Sequence, residues 1–184
     1  LDGEGGLAYM ETTKVELLEC RGCENITMRS TYQFNKEEPD VSYFPPAVTR
    51  PTPRWLSHWE FRSQREALYS MFQEVYAALH AGSHCLAMMG ARTIIDMIML
   101  DKVGDQGSFS EKLDKMHTAG HISSSNRSYL RAAIDAGSAA AHRGHRPDEL
   151  DLGRVMDIVE NLAQAVYILE PAANTLRTNT PARP

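Results

Sequence analysis

Between Thr13 and Phe34 apolar and polar positions alternate, with Val15 and Leu17 followed by Ile26, Met28, Tyr32 and Phe34. A two-residue period puts such positions on one side of an extended chain, so two strands are predicted, joined at the turn Arg21-Gly22-Cys23-Glu24-Asn25. The next stretch carries Pro39, Pro45, Pro46, Pro51 and Pro53. Proline lacks the amide donor that a helix interior or a central strand needs, so this segment is expected to be an extended strap. Tyr43, Phe44, Trp55 and Trp59 are its expected anchors on the domain that follows.

From about Ser63 the period becomes helical. Leu68, Met71, Phe72, Val75 and Leu79 make one amphipathic face, closed by Gly82-Ser83. The helix expected over residues 83–100 is apolar on nearly every side, through Leu86, Met88, Met89, Ile94, Ile95, Met97, Ile98 and Met99, and should be the central element. A short helix over 110–118 ends at Gly120, and Ser123 to Asn126 cap a helix that runs to His142. Pro147, Asp148, Glu149 and Asp151 open the last long helix, whose apolar face is Val155, Ile158, Val159, Leu162, Ala165, Val166 and Leu169. The fold class is therefore mainly α, a bundle of about five helices over 55–174. It is preceded by a β-hairpin and strap over 1–54 and followed by a tail, 175–184, expected to be disordered.

Composition narrows the function. Of the 184 residues, 24 are acidic and 19 basic, a net charge of −5, so there is no broad cationic field for gripping nucleic acid or anionic lipid. Contact with RNA would have to be local. No apolar run approaches the roughly 20 residues that cross a bilayer, the first residues do not read as a signal peptide, and a cytoplasmic protein is expected. Three cysteines do not make a disulfide scaffold.

The candidate chemistry lies near the end of the helix that reaches His142. Arg131, Asp135, Ser138 and His142 follow at steps of four, three and four, which aligns them on one stripe, while Leu130, Ala133, Ile134, Gly137 and Ala141 form a thin apolar stripe opposite. Arg92 and Asp96 lie one turn apart on the apolar central helix, where isolated charges are costly. The two charged rows are expected to meet across the bundle in a buried polar network, either an active site or a device that sets register. His142-Arg143-Gly144-His145-Arg146 is the one compact basic spot; it could bind phosphate at the start of the last helix, or its arginines could pair with Asp148, Glu149 and Asp151. Imidazole titrates near neutrality, so His142 is a candidate general acid or base, with Arg143 or Arg146 stabilising charge on a phosphorane-like transition state. Cys20 and Cys23 have the spacing of half a zinc site. His80 with His84, and His117 with His121, are spaced like helical ligands, but Gly82 and Gly120 interrupt them and surface or capping roles are expected. The nine methionines read as core filling.

The succession Tyr43-Phe44-Pro45-Pro46, Ala91-Arg92-Thr93-Ile94-Ile95-Asp96, Leu113 to Gly120, and Arg131 with Gly137 to Gly144 resembles the bacterial family called domain of unknown function 4145. That family is similar to the HEPN superfamily (higher eukaryotes and prokaryotes nucleotide-binding). The resemblance implies a HEPN-like bundle that pairs as a homodimer, often with a protein partner in defence or toxin-type systems, and an N-terminal zinc ribbon or its remnant. Many superfamily members are metal-independent ribonucleases with an arginine, a polar residue and then a histidine on the penultimate helix. His142 matches that histidine, whereas Gly137 and Ser138 stand where the arginine and polar residue would be. The expected function is an accessory or interaction module with a polar groove around His142 and little intrinsic catalysis. The alternative is a metal-independent endoribonuclease using His142 with Arg143 or Arg146 across a dimer; a zinc-dependent nucleic-acid reader would rest on the cysteine pair alone. No cofactor is expected unless the cysteine pair belongs to a zinc site.

Overall fold

The computed structural model describes residues 9–22, 24–46, 50–105 and 107–181, and the chain divides into two compact units, Leu1–Thr49 and Arg50–Pro184. The division falls after Thr49 rather than at the expected 54/55 boundary.

The first unit is a three-stranded antiparallel sheet in the order β1-β2-β3, with β1 Glu11–Glu19, β2 Ile26–Phe34 and β3 Asp40–Phe44. The register sets Val15 opposite Ser30, Leu17 opposite Met28, and Met28 opposite Phe44, so these side chains share one face. Lys14, Glu16, Arg29 and Tyr43 lie on the other, where the Arg29 guanidinium donates to the Glu16 carboxylate at 2.6 and 3.0 Å. The expected hairpin is present. The expected strap is not continuous, because its first part is β3, an edge strand bracketed by Pro39 and Pro45. Tyr43 and Phe44 therefore belong to the sheet. Of the four proposed anchors, Trp55 is buried and Trp59 is exposed.

The second unit is helical. After a short 3-10 turn at Arg54–Ser57 come α1 Trp59–Gln64, α2 Glu66–His80, α3 His84–Val103, α4 Phe109–Thr118, α5 Ser124–His142 and α6 Glu149–Gln164. One π-helical turn, Ala165–Leu169, continues α6 into α7, Glu170–Asn179. The chain is thus helical through residue 179, where a disordered tail from 175 was expected; Pro171 sits in the first turn of α7, a position that tolerates proline.

Helix α3 is the centre, as its all-round apolar pattern implies. It buries Ala87, Met88, Ala91, Ile94, Ile95, Ile98 and Met99, and packs against α2, α4, α5 and α6. Two glycines let neighbours close in. A Cβ at Gly90 would lie 2.5 Å from Val75 Cγ2 of α2, and one at Gly137 of α5 would lie 2.5 Å from Arg92 Cβ and 3.2 Å from the Met88 carbonyl oxygen. Side-chain caps fix three helix starts: Ser108 forms a capping box with Glu111, Ser123 Oγ accepts from the Asn126 amide, and Asp148 accepts from the Asp151 amide. None of the described helices is long and apolar enough to cross a membrane.

Candidate functional site

Leu130, Ala133 and Gly137 are the buried residues of α5, so its thin stripe forms the seam with α3 as the sequence indicates. The opposite stripe is therefore turned outward. Arg131, Asp135 and His142 are exposed and Ser138 is half-buried. The expectation that the charged rows of α3 and α5 press together in a histidine-centred pocket is overturned by this geometry. Glycine at 137 brings the helix axes close and the seam accepts only small or apolar groups, which leaves the α5 row at the surface.

Each member of the α3 row finds a different neighbour. Asp96 pairs with Lys112 of α4, which is 5% exposed and the only buried charged residue among those described. Arg92 lays its aliphatic stem over Gly137 and its guanidinium over the ring of Phe109, 4.1 Å from the ring centroid. Lys112 Nζ lies 4.9 Å from the centroid of the same ring. Arg92 Nε is out of contact with solvent and has no hydrogen-bond partner among the described residues.

The outward row does contribute to a cleft. Phe109, Ser110 and Leu113 of α4 face Arg131, Ile134, Asp135 and Ser138 of α5 across a space of about 300 Å³. Arg131 donates to Ser110 Oγ at 3.2 Å and lies 3.9 Å from Asp114, which is held more closely by Arg127 at 2.6 Å. Asp135 accepts from Arg143 at 2.7 Å, and the same guanidinium donates to the Asp135 carbonyl oxygen at 2.9 Å. The cleft therefore joins three of the five residues expected to form the polar network, Arg131, Asp135 and Ser138; Arg92 backs its Phe109 wall and Asp96 lies apart with Lys112.

Within one copy of the chain the residues of the basic loop keep separate places. His142 ends α5 exposed, and none of the described residues hydrogen-bonds or pairs with its side chain. Arg143 folds back onto Asp135, and Arg146 is exposed. Nor is the start of α6 open to phosphate, because the Asp148 carboxylate already caps it and Glu149 and Asp151 share its first turn. Arg143 pairs with neither of those acids.

Cys20 lies exposed just after β1, and Cys23 falls outside the described residues. Cys85 belongs to α3, where its thiol approaches the His145 carbonyl oxygen at 3.7 Å. Among the described residues no group of three or more His, Cys, Asp or Glu could hold a metal ion. The histidine pairs take individual places: His80 Nε2 is 3.0 Å from the Arg50 carbonyl oxygen, and His121 Nδ1 is 3.7 Å from Glu170.

Sequence reasoning missed two clusters. Arg50 forms a fork with Glu160 at 2.7 and 2.8 Å, donates to Asp157 at 2.6 Å and reaches the Gly153 carbonyl oxygen at 3.2 Å. Tyr76 donates to the same Glu160 oxygen at 2.6 Å, and burial followed by that carboxylate holds its phenol well above the ordinary range. The network staples the start of the unit to α2 and α6. Arg50 lies outside any periodic segment, so nothing in its neighbourhood marks it. The second cluster, Lys112 with Phe109, had a signal: Lys112 falls three residues after Phe109 on the stripe that continues to Met116, and a cation on an apolar stripe needs a partner.

The family model described as Domain of unknown function (DUF4145) matches residues 73–179, more than half of the chain. The chain belongs to this family. The match starts within α2 and ends with α7, so the DUF4145 region holds the second half of α2, the whole of α3, α4, α5 and α6, and the α4–α5 cleft. No curated protein and no solved structure matches the chain.

Proposed function

We propose that this DUF4145 chain is a HEPN-like helical interaction module of a bacterial defence or toxin-type system, acting as a homodimer in the cytoplasm and recognising a partner without catalysing a reaction. The observation that carries this reading is the state of the expected catalytic residues within one copy: His142 stands exposed at the end of α5 while Arg143, next to it in sequence, is bound twice to Asp135. A metal-independent phosphodiester cleavage needs a positioned acid or base and a cation at the same phosphate. The α4–α5 cleft, by contrast, combines an aromatic wall, two hydroxyls and an arginine in a volume suited to recognition. The endoribonuclease alternative draws on the exposure of His142 at the end of α5 and of Arg146 in the loop that follows, which leaves both open to a second copy.

Labelled RNA incubated in EDTA with the purified chain separates the two. The module reading expects the RNA to stay intact with wild type and with His142→Ala alike. Cleavage by wild type that His142→Ala abolishes would replace it with the ribonuclease reading.

A further inference from the structure

Strand β1 is the long free edge of the sheet. Its nine residues, Glu11–Glu19, pair one to one with β2 on one side, and no backbone hydrogen bond from the described residues reaches its other side. Sheet edges are ordinarily blunted by proline, bulges or brevity, because their unpaired amides and carbonyls template another strand. The opposite edge is blunted in that way: β3 has five residues, with Pro39 before it and Pro45 after it. β1 has no proline and no bulge, and every residue in it but Glu16 is exposed. It also borders an apolar face, since Val15, Leu17, Ile26 and Phe44 lie on one side of the sheet and are all exposed.

The sequence of β1 says what fits that edge. Two antiparallel copies of a strand related by a twofold axis meet with one residue opposite itself, and residues equally far from it on either side face each other. When the axis passes through Val15 all nine residues are paired, Lys14 stands opposite Glu16 of the second copy, and Glu16 opposite its Lys14. An axis through Lys14 or Glu16 sets like charges against each other, and one further out leaves more of the strand unpaired. Lys14 has capacity for a second carboxylate: its Nζ lies 2.9 Å from Glu16 of its own strand, but its side chain is 65% exposed and an ammonium carries three donors. The one like pair in the Val15 register, Glu11 opposite Glu19, falls at the open ends, where water screens it. We propose that β1 is a self-association edge at which two copies of this chain pair antiparallel about Val15, joining their sheets through backbone hydrogen bonds and the reciprocal Lys14 and Glu16 pairs. Val15 then adjoins Val15 of the second copy, and Leu17 its Thr13, on one continuous face. The doubled sheet is still a single layer, so it opens more easily than the helical core.

This inference rests on the homodimer of the module reading and names the surface that pairs. Its test is analytical ultracentrifugation of the full chain across a concentration series, beside Lys14→Glu and Glu16→Lys. Wild type should show a monomer–dimer equilibrium. Each variant turns both reciprocal ion pairs into repulsions and should raise the dimer dissociation constant by roughly tenfold or more. An equimolar mixture of the two should recover the dimer, because acid again faces lysine at both places. Lys36→Glu, in the exposed turn after β2, should leave association unchanged. Glu16→Lys also loses the bond from Arg29, so a second measurement does without charge variants. In a chain carrying Cys20→Ser, Cys23→Ser and Cys85→Ser, mild oxidation should link Val15→Cys to its copy. Thr12→Cys, which at about 3.4 Å per residue would lie roughly 20 Å from its own copy, should stay unlinked. A dimer of unchanged affinity in Lys14→Glu, no recovery on mixing the two folded variants, or a dimer in which Val15→Cys does not link would each overturn the proposal and leave the homodimer reading standing, with the second copy seated elsewhere. A chain that stays monomeric at every concentration would remove the proposal and that homodimer together.

Discussion

Lys112 and Asp96 share one ion pair but not one environment. The Lys112 side chain is 6% exposed and that of Asp96 27% exposed, so losing the acid strands a cation with no access to water, whereas losing the cation leaves a carboxylate that can hydrate. Asp96→Ala is therefore expected to cost about 3 kcal/mol, and Lys112→Met, which keeps the stem in place, about 1 kcal/mol or less. Urea unfolding of the two variants measures the difference; equal losses would contradict it. Tyr76 and Tyr167 give a second signature at this scale. Both phenols are pushed above their ordinary value of 10.0, first by burial and then by hydrogen bonds to Glu160 and Asp101. The folded chain holds these protons at a pH where unfolded tyrosine, near 10, has begun to release them. Their contribution is complete below about pH 10 and is lost as the pH rises beyond it. Stability should fall progressively as the pH rises above about 10, and less steeply in the chain carrying both Tyr76→Phe and Tyr167→Phe. The sequence marks none of this, because no local pattern reveals which tyrosine hydroxyl will meet a carboxylate from a distant helix.

Helix α3 shows how far element-level patterns carry. Its all-round apolar sequence gives both its central place and, within a few residues, its limits of His84–Val103. The stripes of α5 are also legible, since Leu130, Ala133 and Gly137 do form the seam. What the spacing of Arg131, Asp135 and His142 cannot give is the neighbour they face. A stripe opposite the seam meets solvent or a flanking helix, and α4 supplies the latter only beside Arg131, Asp135 and Ser138. The β3 strand and the last turns of α7 escape for a related reason: proline reads as a breaker, yet Pro39 and Pro45 bracket a strand and Pro171 sits in a first helical turn. Close approach around α3 gives a prediction of its own. Alanine is favoured over glycine in a helix by about 1 kcal/mol, but at Gly137 the new methyl would strike the base of Arg92 and the Met88 carbonyl, a conflict expected to cost about 1–3 kcal/mol more than that gain. Gly137→Ala should destabilise in thermal unfolding, and more than Gly90→Ala, whose methyl meets a Val75 methyl group. Stabilisation by Gly137→Ala would contradict the close seam.

Across the molecule, stability is distributed unevenly between the two units. The described residues of the sheet include no buried side chain, whereas the helical unit has a continuous core from Trp55 to Tyr167. A single layer of three strands buries little apolar area, so its amides should open at low free energy. Hydrogen exchange by mass spectrometry should show β1, β2 and β3 exchanging well before α3; protection of the sheet equal to that of α3 would contradict this. The family match falls wholly within the helical unit, in keeping with its being the part that the hydrophobic pattern defines most firmly. The central claim at this scale is that α3 and α5 meet through small and apolar residues and send their charges to separate places. A double-mutant cycle on unfolding free energy tests it directly. Asp96→Ala with Lys112→Met should show coupling of about 1 kcal/mol or more, and Asp96→Ala with His142→Ala should be additive within about 0.5 kcal/mol. Strong coupling between Asp96 and His142 would place both in one polar network and contradict the account.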